Sequence, residues 1–463
     1  MNILLIATYE LGRQSFGLAS AAAWLEREGM TVQSVDSALT PLPAEHVEAA
    51  DLIAFYLPMH TATRLAAELI ETVKLLNSDA HICCVGLYAP VNESFLRRIG
   101  ADSILGGEFE EGLLSICRRL GQSRNGNRKH PGAEAAFQQV EPVTSLNRQN
   151  FIIPQREGLP PLSDYAQLCC NGKPARITGY TETTRGCKYL CRHCPVVPVY
   201  QGKFRVVQQD VVMEDIRQQV EAGAAHITFG DPDFFNGPGH VLPIVEALHN
   251  QFPEITYDVT IKIEHLLKHQ QHLPVLKSTG CAIITSAVES ADNQILDIFD
   301  KGHTREDFIE AAALLESNSL VLNPTFVTFT PWTTLENYRD LLRLIHQLGL
   351  VSNVSPVQYA IRLLIPNGSR LLEWPGIDAL IGDFNESRLT YEWQHQDPKV
   401  DKLFDEISTL VTPGHISIAD RRSVFLKIWK LVHSLIGEPP PDLPEQYHLD
   451  RTEIPYLNEP WYC

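Results

Sequence analysis

Short apolar runs alternate with amphipathic segments along residues 1–118, and this alternation constrains the fold more than any other feature of the chain. NILLIAT precedes a helical pattern near 17–28, TVQSVD one near 45–50, and LIAFYL one near 61–77. HICCVGL precedes one near 94–99 and SILGG one over 109–120. Strands joined through helices pair in parallel, with both sheet faces covered. The pattern therefore predicts an α/β fold that begins with a doubly wound domain of the flavodoxin-like or Rossmann type over 1–120. From 121 the periodicity gives way to Gly, Ser, Asn, Arg and Gln, a linker composition. Residues 151–174 read as an extended strap, so linker and strap together occupy 121–174.

Strand and helix alternate again over 175–366. The predicted strands are ITGYTET, HITFG, YDVTIKI, AIITSAV, NPTFVTF and SPVQYAIRLLI. Helices are predicted near 211–222, 241–250, 274–278, 304–317 and 334–348, the last opened by a capping box of Thr333 and Glu336. Six such units suggest a partial (β/α)6 barrel, with chemistry at the C-terminal ends of its strands. Residues 367–463 read as a helical extension. Its clearest helix carries Val424, Ile428, Leu431 and Leu435 at helical spacing, and the chain then runs extended to Cys463.

Charge narrows the partners. The 463 residues carry a formal charge of −18, which disfavours nucleic-acid backbone and anionic lipid. The densest basic stretch, from Arg118 to His130, reads as solvated linker. No apolar run approaches the roughly 18–20 residues of a membrane span. MNILLIATYE has no basic n-region and no small-residue cleavage site, so it reads as a first strand and not a signal peptide. These features predict a cytoplasmic protein acting on a small molecule or peptide. Ten cysteines in such a chain suggest metal or redox chemistry more than disulfides.

Cys187, Cys191 and Cys194 form a C-x3-C-x2-C array just after the first barrel strand. Three thiolates on one short loop can bind three irons of a cubane and leave the fourth iron open. Clusters held wholly by protein usually take four cysteines. The same spacing also serves a zinc knuckle completed by His193 or a distant cysteine.

The stretch TETTRGCKYLCRHC resembles the radical S-adenosylmethionine (SAM) superfamily, over about 175–366. The resemblance implies a 4Fe-4S cluster on Cys187, Cys191 and Cys194, with SAM chelating the open iron. His193 takes the usually aromatic place beside the adenine, a variant that resembles the cobalamin-dependent branch. Gly230, Asp231 and Pro232 lie where the superfamily holds the SAM amino group, with Asp231 or Asp233 adding a carboxylate. Lys262 and Glu264, read as alternate positions of the third strand, share one face, and a cation there would pair with the SAM carboxylate. Glu289 and Ser290 resemble the "ES" that closes the fourth strand in cobalamin-type members, where Glu289 would bind SAM ribose or substrate. The adenine-contacting glycines of the fifth strand are missing from TFTPWTT.

The first domain resembles the cobalamin-binding domain that precedes many such barrels. Gly106 and Gly107, before Glu108, would let backbone approach the cofactor tail. The D-x-H-x-x-G signature is absent, as it is from many members of the branch. Methylthiotransferases share the layout, but their three spaced N-terminal cysteines are poorly matched by Cys83, Cys84 and Cys117. The layout and the C-terminal PYLNEPWYC look like the family named for its CUAEP or CCAEP tail, which makes Cys463 a candidate catalytic thiol. On that resemblance the reading frame continues through a selenocysteine codon, which sequencing past codon 463 tests.

The resemblance implies reductive cleavage of SAM and radical modification of a substrate, with an electron donor such as flavodoxin or ferredoxin. Cobalamin-dependent methylation is one form of it. Transfer of a 3-amino-3-carboxypropyl group to a soft nucleophile held by the tail is an alternative. A non-catalytic iron–sulfur or zinc binding module is the alternative from another class.

Overall fold

The computed structural model describes residues 1–125, 139–170, 173–412, 418–443 and 454–459. Cys463, and the part of the basic stretch beyond Asn125, lie outside the described residues. The first sheet holds β1 (Asn2–Ala7), β2 (Thr31–Asp36), β3 (Leu52–Tyr56), β4 (His81–Val85), β5 (Ser103–Gly107) and β6 (Thr144–Ser145). Their order is 2-1-3-4-5-6, every pair parallel, which is the flavodoxin-like order. All residues of β3, β4 and β5 are buried, as strands covered on both faces must be. The short β6 lies inside the stretch read as linker; two residues carry no periodicity to announce it.

The helix Phe16–Arg27 packs over this sheet and is capped by Ser15, whose Oγ accepts the Leu18 N–H at 3.1 Å. A Cβ on Gly17 would collide with the Tyr56 ring, so glycine lets that ring lie under the helix.

The second sheet contains β7 (Gln167–Cys169), β8 (Arg176–Thr181), β11 (His226–Phe229), β12 (Thr256–Thr260), β13 (Cys281–Glu289), β14 (Leu322–Phe326) and β17 (Tyr456–Leu457). Its order is 14-13-12-11-8-7-17. Strands β8 and β11 to β14 run parallel, while β7 pairs antiparallel with β8 and β17 antiparallel with β7. A small hairpin, β9 (Thr184–Gly186) with β10 (Phe204–Val206), follows β8. A second, β15 (Phe384–Asn385) with β16 (Thr390–Tyr391), lies in the C-terminal extension.

The sixth predicted barrel strand is corrected. Among the described residues, 355–365 contain a 3-10 turn at Pro356–Ala360 and one bridge, Phe329 to Arg362. Pro356 lacks an N–H for a ladder and sets the turn. The capping box near 334 also shifts by one residue. Thr334 and Asn337 exchange bonds, while Thr333 bonds Thr330 instead. The C-terminal helices Pro398–Val411 and Ile418–Ile436 pack on the core through Leu403, Ile407, Ile428 and Val432, all 0% exposed.

The strap ties the two sheets together. Arg156 donates to both carboxylate oxygens of Asp215 at 2.7 and 2.9 Å, to the Tyr180 carbonyl at 2.7 Å and to Gln14 Oε1 at 2.9 Å.

Candidate active site

The cysteine array starts where β9 ends. Gly186 adopts φ +79°, and a Cβ there would meet the Tyr200 ring and the Lys203 carbonyl, so the loop needs glycine. Asn236 holds the entry, its Nδ2 donating to the Gly186 carbonyl at 3.3 Å and its Oδ1 accepting from the Lys188 N–H at 3.3 Å. The far side is anchored by the C-terminal extension. Ser369 Oγ donates to the Arg192 carbonyl at 3.1 Å, and Arg370 donates to the Leu190 carbonyl at 2.8 Å. Those anchors have no motif and were not legible in sequence.

Cys187 and Cys191 are buried, Cys194 is partly so, and all three are free thiols. Among the described residues no three His, Cys, Asp or Glu side chains gather closely enough to hold a single metal ion. In a cubane each thiolate takes a separate iron. The donor set of three thiols on one loop thus fits a 4Fe-4S cluster with one open iron.

Lys262 and Glu264 leave the predicted strand but stay beside the cysteines. β12 ends at Thr260; Lys262 is the N-cap of the helix Ile263–Lys268, and Glu264 sits in its first turn. The helix turns both toward the array. Lys262 Nζ lies 3.8 Å from Cys191 Sγ, 3.6 Å from Glu264 Oε2 and 3.3 Å over the Tyr189 ring. Tyr189 donates to Glu264 Oε1 at 3.0 Å.

Glu289 ends β13 at φ +66°, a left-handed conformation that few residues other than glycine adopt, next to a register shift. This strained end aims the carboxylate at His193 Nε2, 3.1 Å away, and at Lys301 Nζ, 3.2 Å away. Burial alone would raise the Glu289 carboxyl, but Lys301 and His193 hold it well below the usual range. Burial lowers His193, which keeps its ring neutral and stacked on Phe299 at 4.4 Å. Its Nδ1 is buried with no protein partner, an acceptor left for a ligand in the mouth. Lys301 was missed in the sequence, being an isolated lysine between helices.

The aspartates are already engaged. Asp231 accepts from the Thr183 and Thr184 hydroxyls, each at 2.5 Å, and from the Thr183 N–H at 3.0 Å. Asp233 Oδ2 lies 2.6 Å from His265 Nδ1. Both pin loops at the mouth. Gly230 is required by protein packing too, since a Cβ would strike the Tyr180 ring. Gly106 and Gly107 are closely packed as well. A Cβ on the first would strike Pro90, and Gly107, at φ +68°, would strike the Ser145 carbonyl.

A cavity of about 250 Å³ opens between the sheets. Glu10 and Tyr56, beyond β1 and β3, line it from one side, at the point where strand order reverses. Tyr180, Glu182, Arg185 and Pro232 line it from the other. Arg185 lies 5.4, 5.6 and 5.0 Å from the rings of Phe16, Phe109 and Phe151. Glu182 and Arg185 lie inside the stretch that carries the family resemblance but have no assigned role there, and Glu10 has no motif; only the tertiary fold brings the three together.

Comparison with known proteins agrees with this geometry. Residues 181–348 match the model of the radical SAM superfamily. The chain thus contains a stretch that matches a radical SAM domain, a kind of domain that uses a 4Fe-4S cluster and SAM. Among particular relatives, a tRNA-2-methylthio-N(6)-dimethylallyladenosine synthase of Moorella thermoacetica is 22% identical over 45% of this chain and 48% of its own length. A hopanoid C-3 methylase of Methylococcus capsulatus is 24% identical over 50% of this chain and 43% of its own. The chain thus spans about half the length of the curated relatives it matches. In fold it resembles the cobalamin-dependent SAM radical enzyme OxsB with aqua-cobalamin bound, with TM-score 0.66 and 14% identity over 93% of this chain and 73% of that one. It also resembles the methyltransferase TsrM of Kitasatospora setae, with TM-score 0.58 and 15% identity over 75% of this chain and 71% of that one.

The sequence resemblance offers cobalamin as a possible further cofactor, and the cavity bears on its fit. The cavity fits it in position, lying between the strand ends of both sheets. Its volume falls below the roughly 300–1,000 Å³ of pockets for drug-sized ligands, and a corrin with its tail is larger still. A corrin would enter only with the two sheets further apart.

Among the described residues no helix is long and apolar enough to cross a membrane. Cys83, Cys84 and Cys117 are fully buried, and burial pushes Cys117 up to about 12, so they are inert packing thiols in this structure.

Proposed function

We propose that the chain cleaves SAM reductively at a 4Fe-4S cluster on Cys187, Cys191 and Cys194 and modifies a small molecule or peptide by radical chemistry. A reduced cluster of this kind supplies one electron to the sulfonium of SAM bound at its open iron. The observation that carries the reading is the gathering of the three thiols, Lys262 and the Glu289–Lys301 pair at one end of the second sheet. Lys262 offers its ammonium to the SAM carboxylate. Glu289, ionised by Lys301, accepts from ribose hydroxyls or substrate. The His193–Phe299 stack gives the adenine a flat wall, and His193 Nδ1 accepts one of its N–H groups. Burial of the mouth keeps water from a carbon radical. Electrons come from a small carrier such as flavodoxin or ferredoxin.

Methyl transfer is the favoured form, because one fold neighbour is described as a cobalamin-dependent SAM radical enzyme and the other as a radical SAM methyltransferase. Aminocarboxypropyl transfer is the second form. In its favour, β17 brings Glu459 onto Arg13 at the cavity wall.

The test is anaerobic reconstitution with iron and sulfide, then dithionite and SAM, with nucleosides read by mass spectrometry. The expected product is 5′-deoxyadenosine. S-Adenosylhomocysteine beside it supports cobalamin methyl transfer, and methylthioadenosine supports the second form. No nucleoside from protein holding four irons, with no SAM bound, overturns the reading.

A further inference from the structure

The cavity is lined by two carboxyls, Glu10 and Glu182, and two guanidiniums, Arg13 and Arg185, but carboxyls behind the wall pair with both guanidiniums. Arg185 donates from Nε to Glu182 Oε2 and from Nη1 to Glu110 Oε1, each at 2.7 Å, and Glu108 Oε2 lies 3.8 Å away. One guanidinium therefore serves three carboxyls. The other guanidinium at the cavity, Arg13, is paired with Glu459 of the tail strand. Glu10 is 8% exposed, and its Oε2 is buried without a protein partner. Four aromatic rings, of Tyr56, Phe109, Tyr180 and Tyr200, stand in the remaining wall. Carboxyl beside π faces is the chemistry that recognises an organic cation. An anion would meet desolvated carboxylates and be rejected. Burial also pushes Glu10 up to about 8, against the bond from Ser15, as it does for a carboxyl waiting for a counter-charge.

We propose that this cavity is the substrate pocket, and that the substrate is a small organic cation, an amine or amidine whose charged nitrogen Glu10 takes. The inference rests on the radical SAM reading and extends it to a substrate class. Pro232 and Gly230 border the cavity on the side of the cysteine loop, so a cation seated there lies next to the site assigned to SAM.

The experiment uses the full chain with its cluster, under anaerobic conditions and saturating SAM. Binding of benzylamine, benzyl alcohol and benzoate is compared by ligand-observed NMR. Benzylamine is expected to bind at least about tenfold more tightly than either. Glu10→Gln is expected to weaken benzylamine by about tenfold or more, leaving benzyl alcohol and SAM unchanged. Equal binding of the three probes, preference for benzoate, no binding of any, or an unchanged affinity in Glu10→Gln overturns the proposal. Displacement of SAM by benzylamine also overturns it, since the cavity would then be SAM's own, and leaves the radical SAM reading standing. Failure of the wild-type protein to bind SAM overturns both. The three-probe comparison needs no variant, so it decides even where Glu10→Gln folds poorly.

Discussion

Glu10 is a carboxyl kept mostly protonated by its surroundings. Burial is the main cause, Glu182 adds to it, and the folded value is about 8 against an ordinary 4.5. The folded state therefore binds more protons than the unfolded chain between those values. The sign follows: this group's stabilisation is complete below about pH 4.5 and is lost as pH rises through about 8. Wild-type stability is expected to fall by a few kcal/mol relative to Glu10→Gln between about pH 6 and pH 9. Thermal midpoints of both proteins across that range check it, and parallel curves would contradict it. Glycines show how far single residues could be read. The resemblance marks Gly106, Gly107 and Gly230 as positions where backbone would approach a cofactor, and in the structure all three are closely packed. It cannot say what fills the space, and here Pro90, Ser145 and Tyr180 do.

Elements were legible where periodicity was strong and obscure where the site was built from their ends. The five long strands of the first sheet stand where the apolar runs put them. The segment carrying Lys262 was read as strand because YDVTIKI alternates, but β12 stops at Thr260 and a helix turns its first residues toward Cys191. Alternation over a short run cannot separate the last turn of a strand from the first of a helix. β17 is two residues long and carries no pattern, yet it covers the edge of β7 and sets Glu459 against Arg13. Glu459→Ala leaves that guanidinium unpaired over the Tyr180 ring and is expected to cost about 1–3 kcal/mol. Chemical denaturation measures it; a midpoint within error of wild type would show that the tail strand does not support the sheet.

The whole molecule sets two sheets with their strand ends toward one another, the cysteine loop beside one and the β1/β3 crevice in the other. The three cysteines made the class of chemistry legible from sequence, because their spacing lies within one loop. The pocket was not legible. Its residues come from β3, β5, β8, β9 and the loops after β1, β4 and β11, and only folding joins them. The central claim is an iron left open by three cysteines for SAM. Electron paramagnetic resonance of the dithionite-reduced, four-iron protein tests it most directly. The account predicts a 4Fe-4S signal that shifts on adding SAM and that disappears in Cys187→Ala, Cys191→Ala or Cys194→Ala. A four-iron signal identical with and without SAM would contradict it.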